Sequence, residues 1–527
     1  MKKKTNKISR GARTVPRVVA FMDVGTNSIR LLLVRVNANH SYTVLTQQKE
    51  TVRLGWGEFP ARRLRPAAMN RAVLVCAKFA DMAHAYGAAE IVAVATSASR
   101  EAANQAEFLR RLHTEAKLDV RVISGLEEAR LIYLGVSRGV SLGDRQAVFI
   151  DIGGGSTELI VGDATHHHYL DSLKVGSIRL AADFFRPGDT GRISRATYTQ
   201  LQQTVRNASA VTLTHVRKYR IDTAFASSGT AINLAEIASR QFTGRPLERS
   251  GGTLTRARLR AVLERLCAAT LAQRRVVPGI NPERADIIVP GGAILETLME
   301  DLGLTEITIA DRAMRDGLLE NYLARDDAAA WLDRMPVRER SVMLLGRSCG
   351  FDEPHGRKVG ELAGQLFDSA ARLGLHKLDS AWREWLLYAS WLHDVGTFLS
   401  FVNHQEHTYY IIRHSELLGF DQTEIAVIAA VARFHRKGFP GGGEAEVSAF
   451  DKPTLRGVRQ LCALLRLAEA LDRSHAGLVD AAQFVATANG QVRLRPTTRA
   501  DATLELWGAQ NNAKFFERVF RKPLRIG

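Results

Sequence analysis

Two stretches of the chain carry the same chemical device. Residues 149–162 read FIDIGGGSTELIVG, and residues 21–34 read FMDVGTNSIRLLLV. Phe21/Phe149, Asp23/Asp151, Gly25/Gly153, Ser28/Ser156 and Leu31/Leu159 recur in register. In each copy an apolar strand delivers an aspartate into a tight turn. Successive backbone N–H groups in such a turn form a nest for phosphate oxygens, while the aspartate holds a magnesium ion or its waters. In the later copy Gly153, Gly154 and Gly155 let a phosphate approach the backbone, and Ser156 and Thr157 add hydroxyl donors. The earlier copy offers Asn27 and Ser28 beside a single glycine. Either stretch alone reads as an ordinary hairpin turn. Two in register, each heading an α/β segment, point to one phosphate-gripping turn per lobe. Asp151 leads the magnesium-ligand candidates, with Asp23 and Glu158 behind it.

Chemistry on a gripped phosphate also needs a cation clamp and a base. Arg100 ends TSASR after a buried strand, where its planar fork can meet a terminal phosphate bidentately. SGLEEAR, residues 124–130, puts two acids in the first turn of a helix. A carboxylate there, in a dry cleft among phosphates, can orient and deprotonate a water. Arg30 and Arg179 read first as structural cations.

The elements that must position these groups follow from pattern. Residues 18–36 form a hairpin around GTNS, and TVLTQQKETVRLG adds a strand. Residues 66–87 have helical periodicity and stop at Gly87. EIVAVATSASR and DVRVISGLEEARLIYLGV each start as a strand, the second passing into a helix. The later half of this region repeats the theme: TAFASSGTAINLAEIA and ADIIVPGGAILETLMEDLG each read as strand, glycine turn and helix. Strands alternating with helices imply α/β sheets with ligands at the strand ends. From about residue 326 the pattern is helix after helix, and the last 45 residues return to β pattern, with Asn489-Gly490 as a hairpin turn followed by ATLELWG and then a helix. The expected division is a disordered basic arm (1–17), lobe I (18–140), lobe II (141–325), an all-α region (326–481) and a small α/β C-terminal subdomain (482–527).

The whole set of motifs resembles the exopolyphosphatase/guanosine pentaphosphate phosphohydrolase family. The paired turns look like the phosphate loops of the actin, sugar-kinase and Hsp70 ATPase fold; IIVPGGAIL, from residue 287, resembles its third glycine turn and DRAMRDGLL (311–319) its closing helix. VATSASREAANQ (94–105), VISGLEEARLIYLGV (122–136), VGSIRLAADFF (175–185), SSGTAINLAEI (227–237) and, more loosely, RFHRKGFP (433–440) narrow the likeness. The resemblance implies two actin-like (ribonuclease H-like) lobes. It also implies that the catalytic glutamate is Glu128 and not Glu127, and that the protein is a homodimer. HGRKVGEL (His355), WLHDVG (His393, Asp394) and ALDRSH (Asp472) resemble the ligand order of the HD phosphohydrolase fold. That likeness implies an HD-like helical domain with a second divalent metal, or a scaffold that keeps the ligands without using them. His404, His407, His414 and His435 are expected to add basic potential, with HRK at 435–437 as a polyanion contact.

Composition bounds the partner. The formal net charge is +17, and the first 17 residues hold four Lys, three Arg and no acid. Such an excess fits a polyanion: nucleic acid, an anionic membrane surface or a polyphosphate-type substrate. No aromatic-basic stacking motif supports specific nucleic-acid binding, no apolar run of membrane-spanning length is present, and no GxxxxGK[ST] pattern marks a P-loop. Four scattered cysteines without CxxC spacing fit a reducing, cytoplasmic setting. The expected activity is release of orthophosphate from inorganic polyphosphate ends. The alternative is the same chemistry on guanosine pentaphosphate.

Overall fold

The computed structural model describes every residue except 1–15, 57–58, 60–61, 187–188, 249–250, 325–334 and 488. Nearly all of the basic arm, and the expected boundary near 325, lie outside the described residues. The chain divides into two units, Met1–Arg334 and Met335–Gly527.

The first unit is built twice on one plan. β1 (Arg17–Val24), β2 (Ser28–Val36), β3 (Tyr42–Thr51), β4 (Ala88–Ala95) and β5 (Val120–Val122) form a sheet of order β3-β2-β1-β4-β5. β6 (Ala147–Ile152), β7 (Thr157–Gly162), β8 (His167–Leu173), β9 (Thr223–Ser227), β10 (Thr253–Thr255) and β11 (Glu306–Ile309) form the second, β10-β11-β9-β6-β7-β8. In both, three antiparallel strands are followed by two that run parallel to the first. The second sheet adds β10 as an antiparallel edge. These are two actin-like, ribonuclease H-like lobes. Their central strands, β1 (VVAFM from Val18) and β6 (AVFIDI), are apolar because both faces are covered, as expected for strands buried between layers.

Each lobe has its own core, and a third core joins them. Val19 and Phe21 of β1 share it with Phe149, Ile160 and Phe225 of the second sheet and with Ile132 and Met314. Helix Met314–Leu323, which the sequence assigns to lobe II, packs on helix Gly125–Ser137 of lobe I. Gly135 and Gly317 allow that crossing: a Cβ on Gly317 would lie 1.8 Å from the Leu131 carbonyl oxygen.

Two stretches differ from their sequence reading. IIVPGGAIL is not a strand entering a glycine turn but the start of helix Ile288–Asp301, with Ile288 to Met299 all buried. A continuous apolar run has no periodicity that separates a buried strand from a buried helix. Its glycines serve packing: a Cβ on Gly291 would meet Thr230 at 2.5 Å and one on Gly292 would meet Leu263 at 2.2 Å. ATLELWG likewise is not β but opens helix Thr503–Phe520.

The second unit is helical from Val337 to Ala470, then β12 (Val479–Ala486), β13 (Val492–Thr498), helix Thr503–Phe520 and β14 (Leu524–Ile526). β12 pairs antiparallel with β13, which pairs parallel with β14. The tail is stitched to the helices. The Ala482 and Phe484 amides donate to Gln365 Oε1 (2.8 Å) and Ser369 Oγ (3.0 Å) of helix Glu353–Arg372. Among the described residues no helix is long and apolar enough to cross a membrane, and all four cysteines are free.

Candidate active site

The two repeated turns are closed by the same bond. Gly25 N–H donates to Ser28 O (3.1 Å) and Gly153 N–H to Ser156 O (3.0 Å). A Cβ at either glycine would sit within about 3 Å of that oxygen, 2.9 Å at Gly25 and 3.0 Å at Gly153. The turns face one another across a polar cleft. Asp23, Asn27, Ser28, Asp151, Gly153, Gly154, Gly155, Ser156 and Glu128 all line it.

Glu128 reaches the cleft because of how its helix begins. Ser124 caps helix Gly125–Ser137 by accepting the Glu127 amide at 3.1 Å. Gly125 lets the helix end press on β8, where a Cβ would meet Ser172 at 2.6 Å. The adjacent acids then part company. Glu127 makes a bidentate pair with Arg121 at the surface, both contacts 2.8 Å, while Glu128 turns inward and is 8% exposed. Arg100, in the short helix Ser97–Glu101, holds Glu128 Oε2 at 3.0 Å and the Ile123 carbonyl at 2.9 Å. It stands on an adjoining groove with Glu101, Ser156 and Lys174.

Burial dominates the electrostatics. It pushes the Glu128 carboxyl up to about 7, against Arg100 and with help from Asp23 and Asp151. Asp23 is pushed up to about 6, chiefly by burial, with Arg30 opposing. Burial also raises Asp151, whose Oδ2 accepts from the Ser227 hydroxyl, and Glu158, which Glu128 and Asp151 push further. Carboxyls that raise one another in a dry site take up protons unless a cation joins them. Asp23 Oδ1 and Asn27 Oδ1 are buried without a hydrogen-bond partner among the described residues. An oxygen-only donor set of this kind fits magnesium.

Not every expected residue reaches the cleft. Thr157 is fully buried and its hydroxyl donates to the Val175 carbonyl at 2.6 Å, so it has no donor to offer a phosphate there. Glu158 pairs in register with Asp151 but lies behind the turn, where Ser172 Oγ donates to it at 2.8 Å. Arg179 is a clamp between lobes, bonded to Gly155 O (2.7 Å) and Glu101 (2.6 Å). Arg30 does line the cleft, opposite Asp23.

Sequence reasoning missed Arg284, Thr26, Thr96, Ser177 and Ser228, which also line it. Arg284 is 8% exposed, and burial lowers its guanidinium to about 10. The available signal was Gly229 in SSGT: a Cβ there would lie 2.3 Å from Arg284 Nη2. Ser228 beside it holds a positive φ of 81°, a conformation that costs a non-glycine residue energy and concentrates at functional sites.

The HD-like set gathers in the second unit, with a change of membership. His355, His393 and Asp394 come together, but Asp472 stands behind them, bonded to His355 Nδ1 at 2.8 Å and to the Gly477 amide at 2.8 Å. His404 and His435, expected to add surface potential, are instead 3% and 2% exposed and face Asp394.

Two actin-like lobes meet through paired glycine turns, and a buried glutamate lines the cleft between them. Residues 32–326 match the model of the Ppx/GppA phosphatase family, and residues 337–505 that of Ppx/GppA phosphatase domain III. The chain belongs to the Ppx/GppA family. It is 31% identical over 422 residues to a guanosine-5'-triphosphate,3'-diphosphate pyrophosphatase of Aeromonas hydrophila, covering 78% of this chain and 79% of that one. Among solved structures it is similar to an exopolyphosphatase from Cytophaga hutchinsonii (26% identity, TM-score 0.55). It is also similar to an exopolyphosphatase-like protein (25% identity, TM-score 0.53). Each match covers 59% of this chain and 98% of the other.

Proposed function

We propose that the protein releases orthophosphate from the ends of inorganic polyphosphate. The observation that carries this is Glu128: a buried carboxyl raised to about 7, paired with Arg100 and set between the two turns. The N–H groups within the turns, other than those of Gly25 and Gly153 that close them, grip the terminal phosphates. Arg100 leaves Glu128 for the terminal phosphate, whose charge it meets with two donors. Glu128, freed, takes the proton of a water whose oxygen attacks the terminal phosphorus; the bridging P–O bond breaks and orthophosphate departs. Asp151 with Asp23, backed by Glu158, would hold magnesium, which supplies positive charge against the phosphate oxygens.

The net charge of +17 suits a long linear anion, whose binding then weakens with added salt. The Aeromonas relative's name favours a second reading, in which guanosine pentaphosphate is cut to the tetraphosphate. Phosphate release from both substrates side by side separates them: greater efficiency on polyphosphate supports the first, and comparable or greater efficiency on the nucleotide overturns it. Glu128→Gln should lower kcat by about 10³ while polyphosphate binding persists. Retained turnover would remove Glu128 from the role of base.

A further inference from the structure

We propose that the second unit holds a centre for two divalent transition-metal ions, bridged by Asp394. One ion is bound by His355, His393 and Asp394, the other by Asp394, His404 and His435. In each triad the ligand atoms lie within 4.8 Å of one another.

Four helix ends build this centre. His355 lies in the first turn of helix Glu353–Arg372, and His393 caps the end of helix Ser380–Leu392, with Asp394 next. His404 begins helix His404–His414, and His435 lies just beyond helix Gln422–Arg433. All four rings are buried, at 3%, 1%, 3% and 2% exposure.

The tautomers are fixed by the partners behind each ring. His355 Nδ1 faces the Asp472 carboxylate at 2.8 Å, and His393 Nδ1 faces the Ser390 carbonyl at 2.7 Å. His404 Nδ1 faces the Phe401 carbonyl at 3.1 Å, and His435 Nδ1 the Ala432 carbonyl at 2.7 Å. These oxygens only accept, so every Nδ1 carries the proton and every neutral ring turns an Nε2 lone pair inward.

Four lone pairs pointed at one carboxylate do not make a hydrogen-bond network. His355 Nε2 and His393 Nε2 are buried with no hydrogen-bond partner among the described residues. While both rings are neutral, His404 Nε2 and His435 Nε2 are acceptors that stand 3.3 Å apart. Leaving such atoms unpaired in a dry interior is costly. A cation on each side of Asp394 removes the conflict.

The spacing suits ions. Asp394 Oδ1 is 3.1 Å from His404 Nε2 and 3.6 Å from His435 Nε2, and its Oδ2 is 3.5 Å from His393 Nε2. One carboxylate oxygen thus serves each side. Ligand atoms about 2.0–2.2 Å from a common ion have separations of this size. Four imidazoles select zinc, iron, cobalt or manganese-type ions over magnesium. Asp472 then orients a ligand from behind, and His475, stacked 3.6 Å from His355 and bonded to Asp352 at 2.9 Å, braces the same ring. The Asp394 side chain is 32% exposed, so the centre has an open side.

The test uses the full-length chain stripped of metal and titrated with Co²⁺ in excess magnesium, which satisfies the cleft. Two equivalents should bind per chain, each bringing visible absorption typical of nitrogen ligation. Asp151→Asn should leave that number at two. His355→Gln and His404→Gln should each lose one equivalent, and Asp394→Asn both, with far-UV circular dichroism reporting whether the variants fold. Asp472→Asn should weaken one of the two sites by about 10–100-fold. A wild-type stoichiometry of one or none, or no loss in the Asp394 variant, overturns the proposal.

Discussion

The two copies of the strand–turn–strand device share a backbone and differ in what they do with it. In lobe I the residue opposite Asp23 is Arg30; in lobe II the residue opposite Asp151 is Glu158. One turn pairs its acid with a cation, and the other sets a second carboxyl beside the first. The middle of the turn differs too. Thr26 and Gly154 are equivalent positions, and they meet: a Cβ on Gly154 would lie 3.0 Å from Thr26 Cβ. At this close approach there is room for one side chain and not two, whereas Phe21 and Phe149, also equivalent, both keep theirs in the core that joins the lobes.

The sharpest way to break this contrast is at the acids. If lobe II carries the cation, Asp151→Asn should cost about 10³ in kcat and raise the magnesium requirement. Asp23→Asn, already balanced by Arg30, should cost about tenfold. Steady-state kinetics over a magnesium series measures both, and equal losses would abolish the distinction between copies.

The acid limb of the pH profile sharpens the same comparison with a smaller effect. Glu128 must be ionised to accept a proton, and burial holds its carboxyl near 7. Below about pH 7, kcat/KM should fall about tenfold per unit. Asp23 and Asp151 both push Glu128 upward. Removing a negative neighbour favours the ionised form, so Asp23→Asn should move the limb to lower pH. A limb that stays in place would mean that some other group titrates.

Much of this frame could be read from residue order alone, and the reason is local. Phe21/Phe149 and Gly25/Gly153 repeat because a strand buried on both faces and a turn closed by one N–H···O bond constrain nearby residues. Glu128 and Arg100 lie 3.0 Å apart because each follows within a few residues of a strand end, β5 for Glu128 and β4 for Arg100. What could not be read depends on distant neighbours. The Thr157 hydroxyl is taken by Val175, eighteen positions on. Arg284 is brought in by a short turn after Asn281 that has no periodicity. Helix Ile288–Asp301 opens on eight residues with no polar side chain, all buried, so its pattern cannot name its own secondary structure. His404 and His435 look like surface charge in sequence because only the packing of four helix ends turns them inward.

The smallest expected effect tests why the copies diverged. Thr26 is held on several sides: its hydroxyl accepts the Ala98 amide at 3.3 Å, and its methyl lies 2.4 Å from where a Cβ on Gly55 would stand. It cannot shift to admit a second side chain. Gly154→Ala should therefore destabilise the protein by about 1–3 kcal/mol, the usual cost of overpacking. If Gly154 is instead bare so that phosphate can approach, the same change should raise KM for polyphosphate and leave stability alone. Adding Thr26→Gly distinguishes the two causes. Thr26→Gly alone loses packing and a hydrogen bond. In the double variant the new methyl occupies the space vacated by Thr26, so the combined loss should fall short of the sum by about 1 kcal/mol, as expected for residues in contact. Denaturant melts of the four proteins give that coupling directly. A coupling near zero, with the rise in KM surviving in the double variant, would assign Gly154 to the phosphate and not to its counterpart across the cleft.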